Sequence, residues 1–85
     1  MASPDSPETI ASTRSVRAAA VFEGRVDLTT YPHRYLAIVA QPRFRFDPAT
    51  YAMAAAEALE AAGWELVTMS NFNTSNVYAV MRRRR

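Results

Sequence analysis

Asp47 to Ser70, DPATYAMAAAEALEAAGWELVTMS, is the stretch of this 85-residue chain that decides the fold. Asp47 is a good N-cap, Pro48 suits the first helical position, and the Ala-rich run that follows favours a helix. Gly63 suits the left-handed conformation that closes a helix. We therefore expect one helix over residues 48–62, followed directly by a strand.

The predicted helix has one small apolar face and one acidic face. At about 100° per residue, the apolar face carries Ala52, Ala55, Ala56, Leu59 and Ala62. Glu57 and Glu60 lie on the opposite face, which we expect to be solvated. Because a face built mostly of Ala lets a helix sit close to a sheet but buries little area per residue, a lone monomer should be marginally stable.

Four strands are predicted around this helix. Alternation of apolar and polar residues predicts a half-buried strand over 20–29, with Gly24 at a bulge or close approach. A nearly continuous apolar run predicts a central strand over 35–41. Residues 64–70 and 77–81 flank an Asn-rich turn and predict a hairpin. The order β-β-α-β-β predicts an α+β fold, an antiparallel sheet of about four strands with one helix packed on one face.

The remaining segments set the predicted domain boundaries. Residues 1–15 consist mainly of Ser, Thr, Pro and Ala, with a single large aliphatic residue, Ile10. Because such a stretch buries too little apolar area to offset its ordering entropy, we expect a disordered N-terminal tail. A single α+β domain over 16–82 follows, and residues 83–85 form a basic C-terminal tail.

The string Gly63-Trp64-Glu65-Leu66-Val67 resembles a small uncharacterised bacterial family, domain of unknown function 4177. The resemblance covers about residues 34–82, from an aromatic-led strand through the helix to a final strand that ends in a base. It implies a β-α-β-β core with Trp64 packed under the helix. The strand predicted at 20–29 lies outside this pattern. The family carries no known activity or site residues, so the resemblance supports the fold alone.

The composition excludes several classes of function. The chain has no Cys and only 2 Gly, which excludes disulfides, thiolate catalysis, Cys-ligated metals and Gly-rich phosphate loops. A net charge of +2 is too slight to require a nucleic-acid partner. No apolar run approaches the ~20 residues of a membrane span. We expect no signal peptide, because the apolar run at residues 18–22 is too short and follows an acidic rather than a basic segment. We expect a cytoplasmic protein with no membrane span.

The candidate catalytic residues are few. His33 is the only His and lies beside a Pro in a predicted turn, so it is interpreted as a surface or loop residue. Glu57 and Glu60 are three residues apart, but on the helix face that is expected to be solvated. No spacing suits a metal site. We therefore predict no catalytic residues, no cofactor and no enzymatic activity.

The second face of the sheet suggests association. One helix shields one face, yet the other is predicted to carry Val67 and Met69, with either Tyr78 and Val80 or Val77 and Ala79. Soluble monomers rarely leave such a patch open. We therefore predict a homodimer or a dedicated protein partner, docked through an interface that includes Val67, Met69, Tyr78 and Val80.

Two alternatives stay open. A nucleic-acid-binding accessory protein would use bases interleaved with aromatics and a C-terminal Arg run, at Arg43, Phe44, Arg45, Phe46, Arg82, Arg83, Arg84 and Arg85. Alternation by two is equally typical of an edge strand with solvated Arg, and the Arg run of a solvated tail. A small-molecule site would lie between helix and sheet, near Trp64 and Tyr51.

Overall fold

A computed structural model describes residues 6–42, 47–71 and 75–84. Within them the chain forms, in order, α1 (Pro7–Thr13), β1 (Ser15–Arg17), α2 (Ala18–Phe22), β2 (Tyr35–Ala40), α3 (Pro48–Glu60), β3 (Trp64–Ser70) and β4 (Val77–Arg83). The strands form one sheet in the order β1-β2-β4-β3. The predicted α+β class with four strands is confirmed. The sheet is mixed rather than antiparallel, because β1 runs parallel to β2, and three helices are described rather than one.

The long helix α3 forms where its sequence signals place it. The Asp47 side chain accepts a hydrogen bond from the N–H of Ala49 at 3.2 Å, and Pro48 occupies the first turn. Gly63 has φ 98°, a left-handed conformation that an L side chain rarely adopts. The residues it buries lie on the predicted face: Ala52, Ala55, Ala56 and Leu59.

The strand predicted over 20–29 is wrong, because the chain there forms α2 and an irregular segment. Gly24 follows α2 with φ 69°, and its N–H donates to the carbonyl of Val21 at 3.2 Å. The next N–H, of Arg25, donates to the carbonyl of Ala20 at 3.1 Å. These two bonds form a Schellman motif, so Gly24 closes a helix rather than marking a strand bulge.

The irregular segment after α2 still contributes to the core. Val26 and Leu28 pack against the core, whereas Asp27 and Thr29 are exposed. The alternation of apolar and polar residues that predicted a strand is therefore present in the structure, but this segment does not pair with any described strand. The place next to β2 at the edge of the sheet is taken instead by β1.

The predicted disordered tail differs from the structure over residues 6–15. Helix α1 begins at a Ser6 cap, whose side chain accepts a bond from the N–H of Thr9 at 3.3 Å. It ends at Arg14, which has φ 58° and donates its N–H to the carbonyl of Ile10 at 2.7 Å. Ile10 is only 1% exposed and belongs to the main core. The domain therefore begins before residue 16, while residues 1–5 lie outside the described part of the chain.

The core lies on one face of the sheet, under α2 and α3. The strand residues buried there occupy alternate positions: Val16, Leu36, Ile38, Ala40, Trp64, Ala79 and Met81. Trp64 lies against Tyr31, with ring centroids 5.8 Å apart. The Tyr31 hydroxyl donates to the carbonyl of Tyr35 at 2.7 Å, and burial raises the pKa of Tyr31. Trp64 is thus buried on the helix side of the sheet.

Candidate functional site

The face of the sheet opposite the helices carries an apolar centre. The register of β2 and β4 pairs Ala37 with Val80 and Val39 with Tyr78. These four residues alternate with the buried residues of the same strands, and all four are partly exposed. We call this group the open-face patch.

The structure divides the four residues that the sequence predicts as an interface. Tyr78 and Val80 lie in the open-face patch. Met69 pairs with Ala79 and packs against the core, so it faces the helices. Val67 lies on the edge strand β3 and is 47% exposed. The open face therefore contains half of the predicted set.

A β-bulge explains why Met69 faces the helices and not the open face that regular alternation predicts. The register of β3 on β4 shifts between Leu66, which pairs with Met81, and Thr68, which pairs with Val80. One extra residue, Val67, interrupts the alternation, so each later side chain lies on the face opposite to that of a regular strand. The sequence of β3 contains no Gly or other bulge signal, so the sequence alone favours regular alternation.

Polar residues surround the open-face patch on both edge strands. They are Ser15 and Arg17 on β1, and Glu65, Thr68 and Ser70 on β3. At one end of the face Arg82 donates through Nη2 to Glu65 Oε1 at 2.8 Å. The Glu65 carboxylate, together with the Tyr35 hydroxyl, raises the pKa of Arg82. An apolar centre with a polar rim is the usual anatomy of a protein interface.

Ala37 and Val39 are not among the interface residues that the sequence predicts. They belong to the apolar run YLAIVA, which was interpreted as a strand covered at least partly on both faces. Alternation within that run gives the signal: the burial of β2 repeats every second residue, at Leu36, Ile38 and Ala40. The residues between them are the β2 half of the open-face patch.

Arg82, Arg83 and Arg84 are part of the fold rather than of a solvated tail. Arg82 and Arg83 lie in β4, and Arg83 donates through Nη2 to the carbonyl of Tyr31 at 2.7 Å. Arg84 donates to the carbonyls of Trp64 at 2.9 Å and Glu60 at 2.8 Å. The tail predicted over 83–85 is thus wrong for Arg83 and Arg84. Arg43, Phe44, Arg45, Phe46 and Arg85, the other predicted nucleic-acid contacts, lie outside the described residues.

Arg84 places a positive charge at the C-terminal end of α3, which ends at Glu60. We expect Arg84→Ala to lower the free energy of unfolding by about 1 kcal/mol, because the carbonyl of Glu60 at the C-terminus of α3 and that of Trp64 lose a charged donor. Urea denaturation followed by circular dichroism measures this change. The matched control is Arg25→Ala, which removes an exposed ion pair with Glu23 and should change stability by less than about 0.5 kcal/mol. Equal effects of the two substitutions would contradict the role of Arg84.

The remaining candidate side chains do not converge. His33 Nε2 lies 3.1 Å from the carbonyl of Ala11, and its ring packs edge-on against Tyr31, so it joins α1 to the irregular segment. Glu57 and Glu60 are exposed on α3. Among the described residues no three His, Cys, Asp or Glu side chains could share a metal ion. That the protein is not an enzyme stays a prediction.

Tyr51 and Trp64, near which a small-molecule site was predicted, have different neighbours. Tyr51 packs edge-on against Phe22 with centroids 5.1 Å apart. Trp64 lies against Tyr31 and under the guanidinium of Arg83. The space beside Trp64 is lined by other residues than Tyr51.

Comparisons of the chain with protein-family models, with curated proteins and with solved structures found no match. The resemblance to domain of unknown function 4177 at residues 63–67 therefore stays a prediction, as does a cytoplasmic location. In the described segments, no helix is both long and apolar enough to cross a membrane.

Proposed function

We propose that this protein is a small association module that forms a homodimer through the open-face patch. The observation that carries the proposal is the exposure of Ala37, Val39, Tyr78 and Val80 on the two central strands, within a polar rim. The helices pack on the other face, and a sheet face exposed to solvent normally carries polar residues. Apolar residues at its centre favour a partner surface.

A second copy of the chain is a suitable occupant for geometric reasons. Two sheet faces pack about 10 Å apart with their strands within about 30° of each other, and their side chains interdigitate. In a twofold dimer each copy presents the same patch, so one apolar face covers another of equal size. The small Ala37 beside the larger Tyr78 and Val39 provides the uneven surface that interdigitation requires.

We expect Val80→Lys to dissociate this dimer. Val80 lies between Ala37 and Thr68 in the cross-strand row, so the substitution places an ammonium group within the patch of both copies. Loss of a central contact of at least about 2 kcal/mol raises the dissociation constant about thirtyfold or more. Sedimentation velocity from about 1 to 100 µM measures it, because self-association depends on concentration by mass action.

Val67→Lys is the matched control, since Val67 is 47% exposed on the edge strand and outside the patch. It introduces the same charge and should leave the dissociation constant within about threefold of the wild type. Circular dichroism establishes that both variants are folded. A wild-type chain that is monomeric over the whole concentration range would overturn the homodimer. Dissociation by Val67→Lys but not by Val80→Lys would assign association to the edge of β3 instead.

A further inference from the structure

A groove of about 510 Å³ lies on the helix side of the sheet, away from the open-face patch. It opens between residues 26–29 of the irregular segment, the end of α3 and the adjoining ends of β3 and β4. The residues that matter for binding are Val26, Asp27, Leu28, Leu59, Trp64 and Arg83. We call this the Trp64 groove. Its volume lies within the range of about 300–1,000 Å³ that is usual for small-molecule sites, and most of these residues are apolar.

Arg83 supplies the positive charge in the Trp64 groove. Its guanidinium carbon lies 5.0 Å from the centroid of the Trp64 ring, and its Nη2 donates to the carbonyl of Tyr31 at 2.7 Å. A guanidinium has five N–H donors, of which this bond uses one. Among the described residues no carboxylate forms a salt bridge with Arg83. The side chain is therefore held in place while most of its donors stay available to an anion.

Asp27 supplies a negative charge in the same groove, but its carboxylate is engaged within its own turn. Asp27 Oδ1 accepts bonds from the Thr29 hydroxyl at 2.7 Å and from the Thr29 N–H at 3.0 Å. These bonds lower the pKa of Asp27, so the group is ionised at neutral pH. It would repel an anionic ligand weakly, since it is exposed.

We propose that the Trp64 groove binds a small monocarboxylate with an apolar body. The planar guanidinium of Arg83 matches a carboxylate, with which it can form two parallel hydrogen bonds. Val26, Leu28 and Leu59 offer apolar contact to the rest of the ligand, beside the Trp64 ring. One unpaired cation fits one negative charge, which favours a carboxylate over a doubly charged phosphate.

Trp64 is the only Trp of the chain, so its fluorescence reports this groove directly. The probes are octanoate and 1-octanol, which share a chain length and differ in charge. We expect a saturable change of Trp64 emission with octanoate and a dissociation constant about tenfold lower than for 1-octanol. Emission that does not change, or equal affinities for the two probes, would overturn the proposal.

Two substitutions with opposite expected effects test the charges. Arg83→Gln should raise the dissociation constant for octanoate about tenfold and leave that for 1-octanol unchanged. Asp27→Asn keeps an oxygen that accepts from Thr29 and removes the repulsion, so it should lower the constant about twofold. The control is Arg17→Gln on β1, at the opposite edge of the sheet. It also removes one positive charge, but it should leave the dissociation constant for octanoate unchanged.

The outcomes separate this proposal from the homodimer. If Arg83→Gln does not fold, Asp27→Asn decides: tighter octanoate binding supports the site, and unchanged or weaker binding contradicts it. An Arg83→Gln variant that folds and binds octanoate as the wild type does would also overturn it. Val80→Lys, on the other face of the sheet, should bind octanoate normally whether or not the chain forms dimers.

Discussion

Ile10→Ala is expected to lower the free energy of unfolding by about 2–4 kcal/mol, the usual cost of truncating a buried aliphatic side chain to Ala. Ile10 is 1% exposed and packs in the single core described, although it lies in the first helix of a short chain. Native domains have a total stability of only about 5–15 kcal/mol, so the loss is a large fraction of it. The midpoint of urea denaturation, followed by circular dichroism, measures it.

Two neighbouring variants make this prediction specific. Ile10→Val should cost only about 0.5–1.5 kcal/mol, since it removes one methylene. Ser12→Ala changes an exposed residue of the same helix and should stay within about 0.5 kcal/mol of the wild type. If Ile10→Ala denatured at the wild-type urea concentration, α1 would not belong to the cooperative fold, and a disordered tail would describe this segment correctly.

Ile10 also shows why composition misjudged the N-terminal segment. Averaged over residues 1–15, the composition is too polar for the segment to fold by itself. An average does not show that a single side chain can be buried in a core formed by other segments. The short helix α1 is capped at Ser6 and closed at Arg14, and it delivers one aliphatic side chain to a core formed by later residues. The strand that follows α1 pairs in parallel with β2, and no local sequence pattern predicts that long-range pairing.

The helix α3 was predictable because its signals are local. An Asp-Pro start, a run of Ala and a closing Gly all lie within one stretch of sequence, and each has a single common structural meaning. The segment around Gly24 contains equally local signals, but they are ambiguous. A Gly within alternating residues fits a strand bulge or a helix end, and the two bonds that decide between them require the preceding Ala run to be helical.

The C-terminal arginines show the same limit at long range. Arg83 and Arg84 donate to carbonyls of Tyr31, Trp64 and Glu60, at sequence separations of 52, 20 and 24 residues. Four consecutive Arg favour either a solvated tail or a phosphate-binding segment, and only the tertiary structure shows carbonyl acceptors within reach of Arg83 and Arg84. Half of the open-face patch, Tyr78 and Val80 on β4, was likewise predicted from the sequence. Ala37 and Val39 were missed because they lie in the continuous apolar run of β2, which is typical of a strand covered at least partly on both faces.

Met69→Asp is the second substitution with a large expected effect. Met69 pairs with Ala79 and packs against the core, so a carboxylate there loses hydration without gaining a partner. We expect the free energy of unfolding to fall by about 2–4 kcal/mol. Thr68→Asp is the matched control: the same residue is introduced one position earlier, at an exposed site paired with Val80, and the chain should stay folded.

This pair tests the register on which the proposed function depends. With the bulge at Val67, Met69 lies on the helix side of the sheet, where it packs against the core, and it does not reach a dimer partner on the open face. In a regular strand the two residues exchange faces, because a shift of one position moves every later side chain to the other side. Met69→Asp would then give a folded monomer in sedimentation velocity, and Thr68→Asp would unfold. That reversed result would contradict the bulge and would place Met69 in the dimer interface. An unfolded Met69→Asp variant together with a folded Thr68→Asp variant would agree with the bulge and with an interface formed by β2 and β4.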